Sequence, residues 1–187
     1  KKYNIPEDST VFVYGGNLGK PQGIDFILEV IENFASVENA FLMIVGNGAE
    51  YTRLSNYINN NRFKNLCLID KLPKIEYDQL LEVADVGLIF LDRRFTIPNF
   101  PSRLTAYMEY SLPVLAATDK NTDLKDVIEQ SGSGLWSESG DIKSFINNAR
   151  KLSSDAELRE QMGVSGRKFL EDNYDISNTV NIIIKHL

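Results

Sequence analysis

Short, wholly apolar runs alternate along this chain with longer segments in which apolar residues recur every three or four positions. A short apolar run is typical of a strand buried on both faces, whereas the longer spacing is typical of an amphipathic helix. The predicted strands cover residues 11–14, 41–45, 66–69, 86–91 and 113–116, with a short edge strand at 134–136. The predicted helices cover residues 24–35, the segment through 54 and 58, 75–84, 121–130 and most of the chain after the edge strand.

This alternation predicts an α/β fold with a parallel sheet that is covered by helices on both faces. Ligands of such sheets bind outside the carboxyl ends of the strands, so we expect functional residues in the loops after the first, second and fourth strands. The pattern Ser154-x-x-Glu157 predicts a capped helix start. The apolar face of a terminal helix is predicted at Ile176, Val180, Ile183, Ile184 and Leu187.

The segment 99–115 passes from a loop into a short helix and then into a buried strand. Pro101 suits the start of a helix, where its missing N–H is harmless, and Ser102 is a favoured N-cap residue. A helix that begins beside the carboxyl end of a parallel strand directs free N–H groups at an anion. The segment therefore predicts a phosphate site and a ligand that carries a nucleotide.

Two glycine-containing loops follow the first two predicted strands. Glycine lets the backbone approach a phosphate closely, and a lysine adds positive charge, although glycines also serve tight turns; both interpretations stay open. The first loop is neither a Walker motif nor a G-x-G-x-x-G fingerprint, which disfavours a P-loop ATPase and a dehydrogenase. The candidate residues are Gly16, Asn17 and Lys20 in the first loop and Gly46, Asn47 and Gly48 in the second.

A third loop, after the fourth predicted strand, carries Arg93 and Arg94. Either guanidinium is suited to clamp a diphosphate. Either is also compatible with a solvated surface charge, so this loop is a candidate and no more.

Composition narrows the class of protein. A chain of 187 residues with 43% hydrophobic and 25% charged residues is typical of one globular domain, and its net charge of −6 disfavours a nucleic-acid partner. Cys67, in an apolar run, is expected to be a structural thiol, and with His186 as the single histidine the chain has no Cys/His metal cluster. One cysteine favours a reducing, cytoplasmic compartment. No segment predicts a transmembrane helix or a signal peptide, and the abrupt start at Lys1 resembles that of an excised domain.

Together the motifs resemble the C-terminal, donor-binding half of a retaining glycosyltransferase of the two-domain GT-B type, in family four (glycosyl transferases group 1). The likeness covers essentially the whole chain. It is carried by the two glycine loops at 14–23 and 44–48, the turn Lys71-Leu72-Pro73 with its following helix, the segment 101–114 and the segment 158–167.

The resemblance implies a Rossmann-like, doubly wound parallel sheet of about six strands, one half of a GT-B fold, over residues 1–187. It implies that the full enzyme transfers a sugar from a nucleotide-diphosphate sugar, such as a UDP-sugar, to a glycan or lipid-linked acceptor in surface polysaccharide biosynthesis. An N-terminal acceptor domain of the same protein would complete it and would carry any peripheral membrane association. No metal or other cofactor is expected, and the isolated chain is expected to be inactive.

By the same resemblance, the catalytic residue is unassigned and the donor contacts are as follows. The diphosphate would lie against Gly16, Asn17, Lys20, Gly46, Asn47 and Gly48 and against the amides of Ser102, Arg103 and Leu104. The base and ribose would lie against Leu72, Pro73, Lys74 and Glu109, with Arg93 and Arg94 as a possible cation clamp.

The chain also departs from the family pattern. Many members carry Arg in place of Asn17 and Lys in place of Gln22, and the candidates to replace these cations are Lys20, Arg93 and Arg103. Many members also carry two Glu residues that contact the donor, where an ungapped alignment places Pro98 and Ala106. Glu109, one helical turn beyond Ala106, is the candidate for the ribose role.

Two other functions remain as alternatives. One is half of a sugar-nucleotide epimerase of the same architecture, which would need acid–base residues that this half does not supply. The other is a non-enzymatic Rossmann-like or flavodoxin-like regulatory module with an acidic phosphorylation pocket, which Gly15-Gly16 and Asp70-Lys71 fit poorly.

Overall fold

Six parallel strands form one sheet, in the order β3-β2-β1-β4-β5-β6. The computed structural model describes residue 3 and residues 5–94 and 102–174. The order reverses between β1 and β4, which opens a crevice above their carboxyl ends. The strands are β1 Thr10–Gly15, β2 Ala40–Val45, β3 Leu66–Ile69, β4 Val86–Phe90, β5 Val114–Thr118 and β6 Gly134–Glu138.

Helices connect the strands and cover both faces of the sheet. They are α1 Ile24–Phe34, α2 Tyr51–Asn61, α3 Lys74–Val83, α4 Arg103–Glu109, α5 Leu124–Ser131, α6 Ile142–Ser154 and α7 Ala156–Tyr174, with a 3₁₀ turn at Lys20–Gln22. Within the described ranges, no helix is long and apolar enough to cross a membrane.

The core is divided by the sheet into two layers. Because side chains alternate along a strand, Phe12 and Tyr14 of β1 pack into the layer that holds α1 and α6, whereas Val11 and Val13 pack into the layer that holds α3, α4 and α5. Both layers are apolar, which explains why the central strands read as continuous hydrophobic runs.

The structure confirms the predicted fold class and the order of the elements, and β3 has the predicted bounds. The predicted capping role of Ser154 is wrong, because Ser154 is the last residue of α6. Asp155 caps α7 instead, since its Oδ1 accepts a hydrogen bond from the amide of Leu158 at 2.9 Å. Pro98, Pro101, His186 and the predicted terminal helix lie outside the described residues.

Candidate functional site

A cavity of about 660 Å³ opens at the carboxyl ends of β1, β2 and β3, beside α3 and α4. This volume lies in the usual range of small-molecule sites. We call it the strand-end cavity. Its lining residues are Gly15, Gly16, Asn17, Val45, Gly46, Asn47, Gly48, Asp70, Lys71, Leu72, Lys74, Tyr77, Arg103, Ala106 and Tyr107.

The two glycine loops form the floor of this cavity and pack backbone against backbone. A Cβ atom built on Gly46 would lie 1.8 Å from the carbonyl oxygen of Gly16, and one built on Gly48 would lie 2.4 Å from that of Leu18. Hydrogen bonds run from the Gly16 amide to the Val45 carbonyl and from the Leu18 amide to the Asn47 carbonyl, both at 2.9 Å. These glycines therefore have a packing role that exists without any ligand.

Asn47 connects the second glycine loop to the end of β3. Its Oδ1 accepts a hydrogen bond from the amide of Gly48 at 2.6 Å, and its Nδ2 donates to Oδ1 of Asp70. Because both ends of the amide are engaged, the carboxylate of Asp70 is held at the rim of the cavity.

Arg103, the first residue of α4, reaches back to the first glycine loop. Its guanidinium carbon lies 4.6 Å from the centre of the Tyr14 ring, a cation–π contact. The same guanidinium lies beside Gly16, where a Cβ atom would come within 2.1 Å of Nη2. Burial raises the pKa of the Tyr14 hydroxyl and outweighs the Arg103 charge, which lowers it. The tyrosine therefore stays neutral beneath the cation.

Two further tyrosines from α3 and α4 line the cavity. Tyr77 packs closely against Gly15, because a Cβ atom built on Gly15 would lie 1.8 Å from the Tyr77 hydroxyl oxygen and would displace the ring. The Tyr107 hydroxyl is fully buried, within 3.3 Å of the Val13 carbonyl and 3.2 Å of the Leu88 carbonyl. Burial raises the pKa of both tyrosines, so both remain neutral, rigid parts of the wall.

The charge of the lining is mainly positive. Lys71, Lys74 and Arg103 are its cations, and Asp70 is the one carboxylate among its described residues. Lys74 is also paired with Asp78, with 2.6 Å between Nζ and Oδ2, and it is largely exposed. The remaining excess of positive charge favours an anionic ligand.

The structure brings eight of the sequence-predicted site residues together around this cavity. They are Gly16, Asn17, Gly46, Asn47, Gly48, Leu72, Lys74 and Arg103.

Four other predicted residues, in α4 or directly before α3 and α4, do not line the cavity. The side chain of Leu104 is fully buried in the core, and Pro73 is the exposed residue that precedes α3. Ser102 precedes α4 as predicted, but its backbone is already helical and, among the described residues, its side chain caps no amide. Glu109 is exposed at the end of α4, where its carbonyl accepts a hydrogen bond from Arg167 at 2.7 Å.

Lys20, from the first glycine loop, and Arg94, from the loop after β4, lie at a second hollow of about 550 Å³. Its lining residues are Lys20, Pro21, Ile24, Asp25, Glu50, Arg53, Asp92 and Arg94. Its arginines are already paired. Arg94 contacts Asp92 at 2.6 Å, which lowers the pKa of that carboxyl, and Arg53 contacts Asp25 at 2.6 Å. Arg93 lies against Gly140 instead. The structure therefore does not place Lys20, Arg93 or Arg94 at the strand-end cavity.

Four polar or aromatic residues of the lining are not among the donor contacts predicted from the sequence: Asp70, Lys71, Tyr77 and Tyr107. The strand-end rule would have found the first two had it been applied to the third strand as well. The two tyrosines gave no signal, because their spacing on α3 and α4 is that of core residues. Cys67 lies in β3 outside the lining, and burial raises the pKa of its thiol, as expected of a structural cysteine.

No group of three or more His, Cys, Asp and Glu side chains in the described part of the chain is arranged to hold a metal ion.

Comparison with known proteins gives a consistent result. The family model for glycosyl transferases group 1 matches residues 1–169. The protein named probable glycosyltransferase WbjE of Pseudomonas aeruginosa is 29% identical over 174 residues, which are 91% of this chain and 42% of that protein. The chain spans less than half the length of the curated relatives it matches.

TarM and WaaG are among the solved structures that share this fold. TarM of S. aureus, crystallised in a complex that includes UDP, has a TM-score of 0.79 at 17% identity, over 99% of this chain and 37% of that one. WaaG, a glycosyltransferase involved in lipopolysaccharide biosynthesis, has a TM-score of 0.67 at 17% identity, over 92% of this chain and 45% of that one. On the strength of the family model, the chain belongs to the glycosyl transferases group 1 family.

Proposed function

We propose that this chain binds the nucleotide diphosphate of an activated sugar in the strand-end cavity, as the donor-side part of a glycosyltransferase. The observation that carries the proposal is the position of Arg103. Its guanidinium is stacked on Tyr14 and lies against Gly16, at the point where two glycine loops and α4 meet. A planar cation that is held in place by an aromatic ring is suited to bidentate contact with a phosphate.

Arg103 also supplies a positive charge beside the first glycine loop, where this chain lacks the cations of many family members. Asn17 and Gln22 replace the cations of many family members, and Gln22 is used within the loop, where its Oε1 accepts the amide of Gly19 at 3.1 Å. Of the three candidate replacements, Lys20 and Arg93 lie elsewhere. We assign the diphosphate contact to Arg103, aided by the backbone of Gly16 and Gly46 and by Lys71. Metal plays no part in this proposal.

In this mechanism the chain stabilises the negative charge that develops on the leaving diphosphate. A preorganised cation beside the phosphates lowers the barrier because its position costs no reorganisation during the reaction. Transfer with retention of configuration, and the acceptor, are assigned to the complete enzyme, whose other domain would close over the cavity. Cytoplasmic location fits the free thiol of Cys67, and any membrane association is assigned to that other domain.

A role in surface polysaccharide biosynthesis is the part of the proposal that rests on relatives. WaaG acts in lipopolysaccharide biosynthesis, and TarM was crystallised with UDP. Both proteins share the fold with this chain, and from the UDP bound to TarM we extend binding of a uridine diphosphate nucleotide to this chain as a hypothesis.

The test is isothermal titration of the chain with UDP, GDP and ADP. We expect binding, and we expect Arg103→Met to weaken it by roughly tenfold or more, the usual effect of losing a charged hydrogen bond. Arg53→Met is the matched control, because Arg53 is paired with Asp25 at the second hollow and should leave binding unchanged. Absence of nucleotide binding, or an equal effect of both substitutions, would contradict the proposal.

A further inference from the structure

We propose that Asp70 recognises the ribose of the bound nucleotide by accepting hydrogen bonds from its hydroxyl groups. The inference rests on the proposed function and assigns a subsite within the same cavity to a residue that the family resemblance does not single out.

Asp70 lies where the ribose of a bound nucleotide would be. Asp70 directly follows β3 and lines the cavity that Arg103 enters from the other side. The glycine loop after β1 and the end of β3 are two strand spacings apart, about 9.5 Å. An extended nucleotide with its diphosphate at Arg103 and Gly16 therefore directs its ribose and base toward the end of β3.

The carboxylate of Asp70 suits the hydroxyl groups of a ribose. An ionised carboxylate only accepts hydrogen bonds, so it repels a phosphate and suits a pair of hydroxyl donors. Acidic side chains at strand ends serve the ribose in other doubly wound sheets. Asp70 is the one carboxylate among the described lining residues.

Helix α4 brings no carboxylate to the described lining of this cavity. Ala106, where many family members carry Glu, presents only a methyl group to the lining. Glu109, the sequence-based candidate, is exposed at the end of the helix and outside the lining. Of these positions, only Asp70 brings a carboxylate into the cavity.

The carboxylate of Asp70 is held in place by Asn47. Nδ2 of Asn47 donates to Oδ1 of Asp70 while Oδ1 of Asn47 holds the Gly48 amide at 2.6 Å. The carboxylate is thereby fixed to the glycine loop before any ligand arrives, which reduces the entropy lost on binding.

The experiment compares the tightest-binding nucleotide among UDP, GDP and ADP with its 2′-deoxy form by isothermal titration. We expect the wild-type chain to prefer the ribonucleotide by about tenfold, because a site built for a hydroxyl rejects the analogue that lacks it. In Asp70→Asn this preference should fall to about twofold or less, since the remaining amide oxygen is engaged by Asn47. Glu109→Gln is the matched control and should keep the wild-type preference.

The outcomes separate this inference from the proposed function. If Asp70→Asn binds the ribonucleotide with the wild-type preference, or if Glu109→Gln abolishes that preference, the assignment to Asp70 is overturned and nucleotide binding stands. If the wild-type chain binds none of the three nucleotides, both are overturned. Thermal unfolding of each variant checks that the fold is intact.

Discussion

Replacement of Gly46 by alanine tests whether the floor of the cavity depends on direct backbone packing. A Cβ atom at this position would lie 1.8 Å from the Gly16 carbonyl oxygen, far inside the 3.4 Å at which ordinary contact begins. The obstacle is backbone, and the Gly16 amide is itself bonded to the Val45 carbonyl, so no rotamer change relieves the clash. Gly46 is not among the glycines of positive φ, so the effect is steric rather than conformational.

The expected loss of stability is about 2–3 kcal/mol, the upper part of the range for overpacked sites, because two loops must separate. Gly19→Ala is the matched control. The nearest atoms to its Cβ would be side-chain ends, Nδ2 of Asn17 at 2.9 Å and Oε1 of Gln22 at 3.3 Å, which can shift without moving the backbone. We expect that substitution to cost less than about 1 kcal/mol. The entropy that alanine removes from the unfolded chain is common to both variants.

Thermal unfolding followed by circular dichroism measures this difference. For a chain of this size, each kcal/mol shifts Tm by roughly 2–4 °C, so Gly46→Ala should unfold roughly 4–12 °C below the wild type. Isothermal titration of the same variant should show weaker nucleotide binding, because the displaced loops carry Gly16 away from Arg103. Equal Tm values for Gly46→Ala and Gly19→Ala would refute the packing argument.

Two further predictions concern other parts of the fold. Asp155→Ala should destabilise the protein by about 1 kcal/mol through loss of the α7 cap, whereas Ser154→Ala should have little effect; urea unfolding distinguishes them, and a larger effect of Ser154→Ala would contradict the assignment. Hydrogen bonds from Arg94, together with its charge, lower the pKa of Asp92 below its ordinary value of 3.8. The stability that this pairing contributes is therefore full above about pH 3.8 and is lost as the pH falls through the folded-state pKa. Asp92→Asn should show a shallower loss of stability in acid than the wild type, measured as urea midpoints at neutral and acidic pH, and parallel pH profiles would contradict it.

The four inner strands could be predicted from the sequence because they are buried on both faces. A strand such as β2 has no polar position to interrupt its run of apolar residues, whereas the edge strand β3 is only half-buried and its predicted bounds follow from its four consecutive apolar residues. The error at Ser154 and Asp155 arose because neighbouring residues both have capping side chains. Only the structure shows which of them faces the free amides.

The candidate site was less predictable because its contacts depend on direction and distance. The glycine loops were identified from their position after strands, but their packing against each other is invisible in one dimension. Arg94 and Arg103, like Arg93, cannot be told apart by sequence alone. In the structure Arg94 pairs with Asp92, whereas Arg103 lies over the ring of Tyr14. Asp70 is not among the predicted donor contacts, because a polar residue directly after a short strand is also typical of an ordinary surface turn.

Amide chemical-shift mapping of the chain during titration with UDP is the most direct test of the central claim that Arg103 and the glycine loops form a nucleotide diphosphate site. We expect saturable shifts at Gly16, Gly46 and Arg103, with the amides of Arg53 and Arg94 at the second hollow unchanged. Shifts confined to Arg53 and Arg94, or the absence of saturable shifts at any amide, would contradict it.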